Sequence, residues 1–119
     1  MNVLIVESRA ELGELWRKHL GRMGMSVQQV ADQDTAIDYL EKHAPDIILL
    51  DLVLQNGSAL AISDFASYRH PDARVIFVTD TSFFSDGSIF AYASNACAFL
   101  PASTCPNDLA AMVEHYALI

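Results

Sequence analysis

Basic residues are scarce in this sequence. Seven Lys and Arg residues stand against 15 Asp and Glu residues, which gives a formal net charge of −8 at pH 7. The few basic residues are scattered, so no basic patch is available to neutralise the phosphates of DNA or RNA. The charge therefore argues against a nucleic-acid-binding surface.

Cysteines and long hydrophobic runs are also scarce. Cys97 and Cys105 lie eight positions apart, with no CxxC motif and no paired histidines, and this spacing fits no zinc site. The longest apolar runs are far too short to span a membrane. The chain begins Met1-Asn2 and passes directly into a strand-like run without a basic n-region or cleavage site, so a cytoplasmic location is expected.

Strand-like runs alternate with segments of helical length along the whole chain. Strands are predicted at Asn2–Glu7, Ser26–Ala31, Asp46–Asp51, Arg74–Thr79 and Ala96–Pro101, and helices at Ala10–Met23, Thr35–His43, Ser58–Tyr68, Thr81–Ser94 and Pro106–Leu118. This alternation implies right-handed crossovers and a parallel sheet. We therefore predict one α/β domain over residues 1–119, with a doubly wound, five-stranded parallel sheet of the flavodoxin-like type.

The most informative segment, residues 45–57, delivers a single carboxylate to the end of an apolar strand. In an open α/β sheet, ligands bind at the carboxyl ends of the strands. Asp51 ends the third predicted strand and Thr79 ends the fourth. Glu7 ends the first predicted strand and is followed by Ser8. These side chains are expected to meet at one edge of the sheet. A carboxylate there could be a phosphate acceptor, a metal ligand or a solvated strand end.

Four motifs, each weak by itself, occur here in a specific order and spacing. They are VLIVE at residues 3–7, the run at 46–51 followed by Leu54 and Gly57, VIFVT at 75–79, and AFLP at 98–101. In this combination the chain resembles the receiver domain of two-component response regulators along nearly its whole length. The resemblance implies a (βα)5 receiver fold and a role in phosphorelay signal transduction. A histidine kinase or phosphotransfer protein would be the upstream partner, and another protein the downstream one.

The resemblance also assigns roles to individual residues. Asp51 corresponds to the aspartate that accepts the phosphoryl group. Thr79 corresponds to the hydroxyl that hydrogen-bonds this group, and Phe99 to the aromatic residue that changes rotamer with it. Magnesium would be held by Glu7, Asp51 and the backbone carbonyl of Val53.

Several positions depart from the family pattern. Ser8 stands where a second acid ligates the metal, Ala102 stands where a lysine compensates charge, and Gln55 stands where proline is common. A weak or absent Mg²⁺ site is therefore expected. Arg9 could swing towards Asp51 and replace the lysine, or it could be a solvated residue of the first helical turn.

Each site residue also has a purely structural interpretation. Ser8 followed by Glu11 is the pattern of a capping box, which would make Ser8 the N-cap of the first helix. Asp51 could be a polar end to a buried strand, and Thr79 suits a strand by propensity. Phe99 could be a core residue rather than a switch.

The predicted fourth helix is poorly capped but rich in aromatic residues. Phe83, Phe84, Phe90 and Tyr92 either pack into the core or form an exposed apolar patch for a partner. In receivers, the face that includes this helix, the fifth strand and the last helix is the usual output and dimer surface. These four residues are therefore a candidate interface, and a homodimer is possible.

Three classes of function follow from these observations. We predict an atypical receiver that works largely through protein contact, as a switch rather than an enzyme. The first alternative is an orthodox magnesium-dependent phosphoacceptor controlled by a histidine kinase. The second is an unrelated flavodoxin-like ligand-binding domain or enzyme. This class is disfavoured because residues 7–11 (ESRAE) form no glycine-rich phosphate loop, and because no Ser-His-Asp order or histidine pair is present.

Overall fold

Strands and helices alternate through residues 1–79 and 95–117, the part of the chain that the computed structural model describes. The strands are β1 (Asn2–Val6), β2 (Ser26–Val30), β3 (Ile47–Asp51), β4 (Arg74–Thr79) and β5 (Ala96–Pro101). The helices are α1 (Ala10–Arg22), α2 (Gln33–Lys42), α3 (Ala59–Arg69) and α4 (Pro106–Ala117). These bounds agree with the sequence predictions to within two residues at every end of the nine described elements.

All five strands pair in parallel, in the order β2-β1-β3-β4-β5. The chain moves outwards from β1 to β2, then returns past β1 to β3 and continues to the opposite edge. The direction of winding therefore reverses beside β1, and its neighbour β3 begins the second half. The predicted doubly wound parallel sheet is confirmed. Its ligand-binding position is expected at the carboxyl ends of β1 and β3, where the winding reverses.

Side chains of the central strands alternate between two apolar layers. Leu4 and Val6 of β1 pack in the layer under α2 and α3, whereas Val3 and Ile5 pack in the layer under α1 and α4. The same alternation continues in β3 and β4, whose apolar residues are fully or almost fully buried on both faces. Continuous apolar runs are required for this reason, because a parallel sheet is covered on both sides.

Helix α2 begins two residues earlier than the sequence pattern predicts. Asp32 is its N-cap, and the Asp32 side chain accepts a hydrogen bond from the backbone N–H of Thr35 (2.9 Å). This cap satisfies one of the unpaired donors of the first turn, which allows the helix to start at Gln33. Ser58 caps α3 in the same way and accepts from the N–H of Ala61 (3.2 Å).

The described residues do not include every predicted element. The predicted helix at 81–94, with Phe83, Phe84, Phe90 and Tyr92, lies outside the described part of the chain. Within the described part, no helix is both long enough and apolar enough to cross a membrane.

The loop between β3 and α3 contains a glycine that the fold requires. Gly57 has a φ of +102°, a backbone conformation that residues with a Cβ rarely adopt. A Cβ at this position would also collide with the side chain of Gln33. We expect Gly57→Ala to lower the free energy of unfolding by about 1–3 kcal/mol. Urea denaturation followed by circular dichroism measures this change.

Gly21→Ala is the matched control. Gly21 lies in the last turn of α1, and a Cβ added there meets no atom within 4 Å. Alanine is the better helix former, so this variant should gain up to about 1 kcal/mol. An equal loss of stability in both variants would contradict the special role of Gly57.

Candidate functional site

Polar residues are buried at the carboxyl edge of the sheet. Asp51 is the last residue of β3, Thr79 is the last of β4, and Glu7 follows β1 directly. Their exposed fractions are only 1% for Glu7 and 2% for Asp51 and Thr79. Because Val6 pairs with Leu50 in the sheet, Glu7 and Asp51 emerge side by side. The predicted convergence of these strand ends is therefore observed.

The carboxyl group of Asp51 has partners on both oxygens. Oδ1 accepts a hydrogen bond from the backbone N–H of Val53 (2.9 Å), and Oδ2 lies 3.4 Å from a terminal guanidinium nitrogen of Arg9. Burial and, next, the adjacent Glu7 carboxyl raise the pKa of Asp51 to about 7, while the contacts with Val53 and Arg9 act in the opposite direction. The dominant influence on Asp51 is therefore loss of solvent beside a second acid.

Arg9 folds back over both carboxylates. Its backbone N–H and its Nε donate to Oε1 of Glu7 at 2.9 and 3.0 Å, and its terminal nitrogen reaches Asp51. Arg9 is the N-cap residue of α1 and has an extended backbone (φ −84°, ψ 100°), which directs the chain around Glu7. The sequence left open whether Arg9 would be solvated or turned towards Asp51. The structure shows the second arrangement, with 45% of the side chain still exposed.

Ser8 does not cap α1, so the predicted capping box is wrong. The N-cap is Arg9, and the side chain of Arg9 makes no capping hydrogen bond. The Ser8 hydroxyl instead donates to the carbonyl of Ala31 (3.1 Å) and accepts from the backbone N–H of Gln55 (3.0 Å). It thereby joins the loops that follow β1, β2 and β3. The local sequence predicted that this hydroxyl would cap the helix, but backbone groups of two neighbouring loops bind it instead.

The contact between Ser8 and Gln55 links two of the departures from the family pattern. Proline has no backbone N–H, so a proline at position 55 could not donate to Ser8. The serine and the glutamine are therefore chemically matched, which the sequence pattern does not indicate. Glu7, Ser8, Arg9, Asp51, Val53 and Gln55 together line a cleft of about 220 Å³.

The remaining predicted residues lie on the β4–β5 side of the edge. The N–H of Ala102 donates to the carbonyl of Thr79 (2.7 Å), so the position expected for a lysine lies next to β4. Ala102 packs against the apolar layer under α1 and α4 and provides no charge. Phe99 pairs with Phe77 in the sheet and packs, partly buried, against the opposite layer.

Comparison with known proteins shows which family the chain belongs to. The model of the response regulator receiver domain matches residues 3–114. The chain belongs to the response regulator receiver domain family. Among curated relatives, it is 35% identical to the regulatory protein LuxO of Vibrio vulnificus (strain YJ016) over 75 residues. This match covers 63% of the chain and 17% of LuxO, so the chain spans a small part of that relative.

Solved receiver structures share the fold. A CheY-like receiver domain protein from Methanospirillum hungatei JF-1 superposes with a TM-score of 0.88 at 20% identity, covering 98% of this chain and 92% of that one. TrrA of Thermotoga maritima, solved in complex with Mg²⁺ and BeF, gives a TM-score of 0.82 at 18% identity, with 97% of both chains covered. The receiver fold predicted from four short motifs is thus confirmed.

The donor set of this receiver fits Mg²⁺ poorly. Oε2 of Glu7 is buried and has no hydrogen-bond partner among the described residues, so one oxygen is available to a cation. The Ser8 hydroxyl, however, already bridges two loops, and Arg9 already contacts both carboxylates. The contact that Val53 makes with the site is its N–H to Asp51. Within residues 1–79 and 95–117, no group of three or more His, Cys, Asp or Glu residues could hold a metal ion.

The raised pKa of Asp51 predicts a specific pH dependence of stability. Between about pH 4 and pH 7 the folded state retains a proton that the unfolded state has released, so the free energy of unfolding falls as pH rises. The slope contributed by Asp51 should be at most about 1.4 kcal/mol per pH unit. Asp51→Asn should flatten this slope and stabilise the fold at pH 8, because the amide that replaces the carboxylate carries no charge beside Glu7.

Urea denaturation at pH 4.5, 6 and 8 measures this difference between wild type and Asp51→Asn. Asp38→Asn on the exposed surface of α2 removes one negative charge elsewhere and serves as the control. Identical pH slopes for wild type and Asp51→Asn would show that Asp51 is not the group responsible.

The Ser8 hydroxyl should be coupled energetically to position 55. Ser8→Ala removes two hydrogen bonds and is expected to cost about 1–2 kcal/mol of unfolding free energy. Gln55→Pro removes the same N–H donor, so its cost in the Ser8→Ala background should be smaller than in wild type. Strictly additive costs in a urea double-mutant cycle would mean that the two residues do not stabilise each other. Ser8→Thr retains the hydroxyl and is the control.

Proposed function

We propose that this domain is an atypical receiver of a two-component phosphorelay. Asp51 is the retained phosphoacceptor position, while the changed metal and lysine positions reduce phosphorylation, and output depends largely on protein contact. The observation that carries the proposal is the burial of Asp51 beside Glu7 at the end of β3, facing an open cleft. The upstream partner would be a histidine kinase or a phosphotransfer protein, and the downstream partner another protein.

Phosphorylation of Asp51 has a defined chemical course. A carboxylate oxygen of Asp51 would form a bond to phosphorus while the P–N bond of the donor phosphohistidine breaks, and the bonding electrons would leave on the imidazole nitrogen. The product places more negative charge beside Glu7, so positive charge must stabilise the transition state. Arg9 can supply part of that charge, whereas Ala102 supplies none. Slow or incomplete transfer is the expected consequence.

The residues that would respond to phosphorylation lie beyond Asp51 in the sheet. We assign Thr79 as the hydroxyl that binds the phosphoryl group, and Phe99 as the ring that moves with it. Thr79 is buried at the end of the adjacent strand β4. Phe99 is partly buried against the core, so its movement would require repacking beside Phe77. This packing supports weak coupling between Asp51 and the surface.

One observation favours the alternative of an orthodox magnesium-dependent switch. Oε2 of Glu7 is buried without a hydrogen-bond partner among the described residues, and such an oxygen is costly unless a cation binds it. Magnesium needs several further oxygen ligands in near-octahedral geometry. The alternative therefore requires Arg9 to leave the position in which the structure shows it.

Reaction with a small phosphodonor tests the proposal. Wild type, Asp51→Asn and the double variant Ser8→Asp/Ala102→Lys are incubated with acetyl phosphate and Mg²⁺, and intact mass spectrometry measures the phosphorylated fraction over time. The double variant restores an acid and a lysine at the two changed positions. We expect it to react at least about tenfold faster than wild type, which corresponds to about 1.4 kcal/mol, because the added acid can ligate Mg²⁺ and the added lysine supplies positive charge to the transition state.

The controls separate the possible failures. Asp51→Asn should remain unmodified, and addition of EDTA should abolish the reaction of the double variant. Rapid, stoichiometric modification of wild type at the rate of the double variant would favour the orthodox switch. No modification of either protein would contradict the assignment of Asp51 as a phosphoacceptor.

A further inference from the structure

Arg9 occupies an unusual electrostatic position. It is the N-cap residue of α1, where the helix dipole disfavours a positive charge. Two of its guanidinium nitrogens nevertheless approach Glu7 and Asp51, at 3.0 and 3.4 Å. The two carboxylates, whose side chains are 0% and 3% exposed, therefore overcome the dipole and hold the guanidinium in place.

The guanidinium contacts the same oxygens that a divalent cation would need. Oε1 of Glu7 accepts two hydrogen bonds from Arg9, and Oδ2 of Asp51 faces its terminal nitrogen. Oδ1 of Asp51 accepts from the N–H of Val53. Among these four carboxyl oxygens, Oε2 of Glu7 is the one without a hydrogen-bond partner in the described part of the chain, whereas Mg²⁺ needs several oxygen ligands.

The surrounding loops reinforce this arrangement. The Ser8 hydroxyl donates to the carbonyl of Ala31 and accepts from the N–H of Gln55. A metal ligand at this position would have to give up these contacts. Charge balance points the same way, because two adjacent buried acids need a proton or a cation. The guanidinium of Arg9 lies 3.0 Å from an oxygen of Glu7 and 3.4 Å from an oxygen of Asp51, so it places positive charge against both carboxyl groups.

We infer that Arg9 is the built-in cation of this receiver, and that Mg²⁺ reaches Glu7 and Asp51 only by displacing its guanidinium. The inference deepens the proposed function, and it rests on that function only in treating Asp51 as the acceptor position. Arg9 is a positioning residue that holds the two carboxylates together without metal. The site is thereby formed before any cation binds, and Mg²⁺ affinity is low because a tethered competitor is always present.

A Mg²⁺ titration of the intact chain tests this inference. Backbone amide NMR spectra of wild type and Arg9→Ala are recorded with increasing MgCl₂ at ionic strength held constant with NaCl, since screening by salt affects both proteins. Arg9→Ala should bind Mg²⁺ about tenfold or more tightly than wild type, with shifts centred on Glu7 and Asp51. Its melting temperature without Mg²⁺ should be lower than that of wild type, and Mg²⁺ should recover most of the loss.

Arg17→Ala is the matched control. Arg17 lies on the same helix, its side chain is 44% exposed compared with 45% for Arg9, and it pairs with Glu14 on the surface. Like Arg9→Ala, this variant makes the net charge of the protein more negative by one, so it corrects for the general effect of charge on Mg²⁺ binding. Its Mg²⁺ affinity should equal that of wild type within about twofold.

The outcomes are distinguishable. Equal Mg²⁺ affinities for wild type, Arg9→Ala and Arg17→Ala would overturn the inference, as would an increase in Arg17→Ala as large as that in Arg9→Ala. If Arg9→Ala does not fold, Arg9→Gln is titrated instead, because it removes the charge and retains most of the side-chain length. No phosphodonor is present, so this test can fail while Asp51 is still phosphorylated, and it can succeed when Asp51 proves unreactive.

Discussion

The structure of this receiver's site depends on one repulsive contact, the approach of two buried carboxyl groups at the edge of a parallel sheet. Glu7 and Asp51 are brought together by the pairing of β1 with β3, and both are almost fully buried. Two adjacent acids in a desolvated position need a proton or a cation. The backbone N–H of Val53 and the side chain of Arg9 provide the stabilising contacts that the structure shows. The carboxyl edge is organised around this need.

The loops around the acid pair are held by hydrogen bonds between side chains and backbone groups. The Ser8 hydroxyl connects the loops after β1, β2 and β3 through a carbonyl and an N–H. Gln33 at the start of α2 accepts from the N–H of Ser58, which anchors the far end of the β3–α3 loop. A receiver whose loops are fastened in this way has less freedom to rearrange when the charge on Asp51 changes. That restriction supports the proposed output through protein contact.

Much of the fold was predictable because burial in a parallel sheet imposes a pattern visible in one dimension. Strands β3 and β4 are apolar at every position that the two layers cover, and their predicted ends differ from the observed ones by at most one residue. The early start of α2 was missed because the effect of a cap such as Asp32 depends on local geometry. The sequence also predicted that Asp51, Glu7 and Thr79 would meet at one edge, since parallel strand ends share an edge.

The site's electrostatics were less predictable. Local pattern assigned the Ser8 hydroxyl to a helix cap, but Ala31 and Gln55, distant in sequence, compete for it in the folded chain. The sequence allowed two positions for Arg9 and could not choose, because that choice depends on the burial of two acids from different strands. The sequence by itself determined the order of the strands and helices in residues 1–79 and 95–117, the receiver family and the acid at the end of β3. Only the tertiary structure decided the partners of the polar groups, because hydrogen bonds and charge compensation depend on distances between segments far apart along the chain.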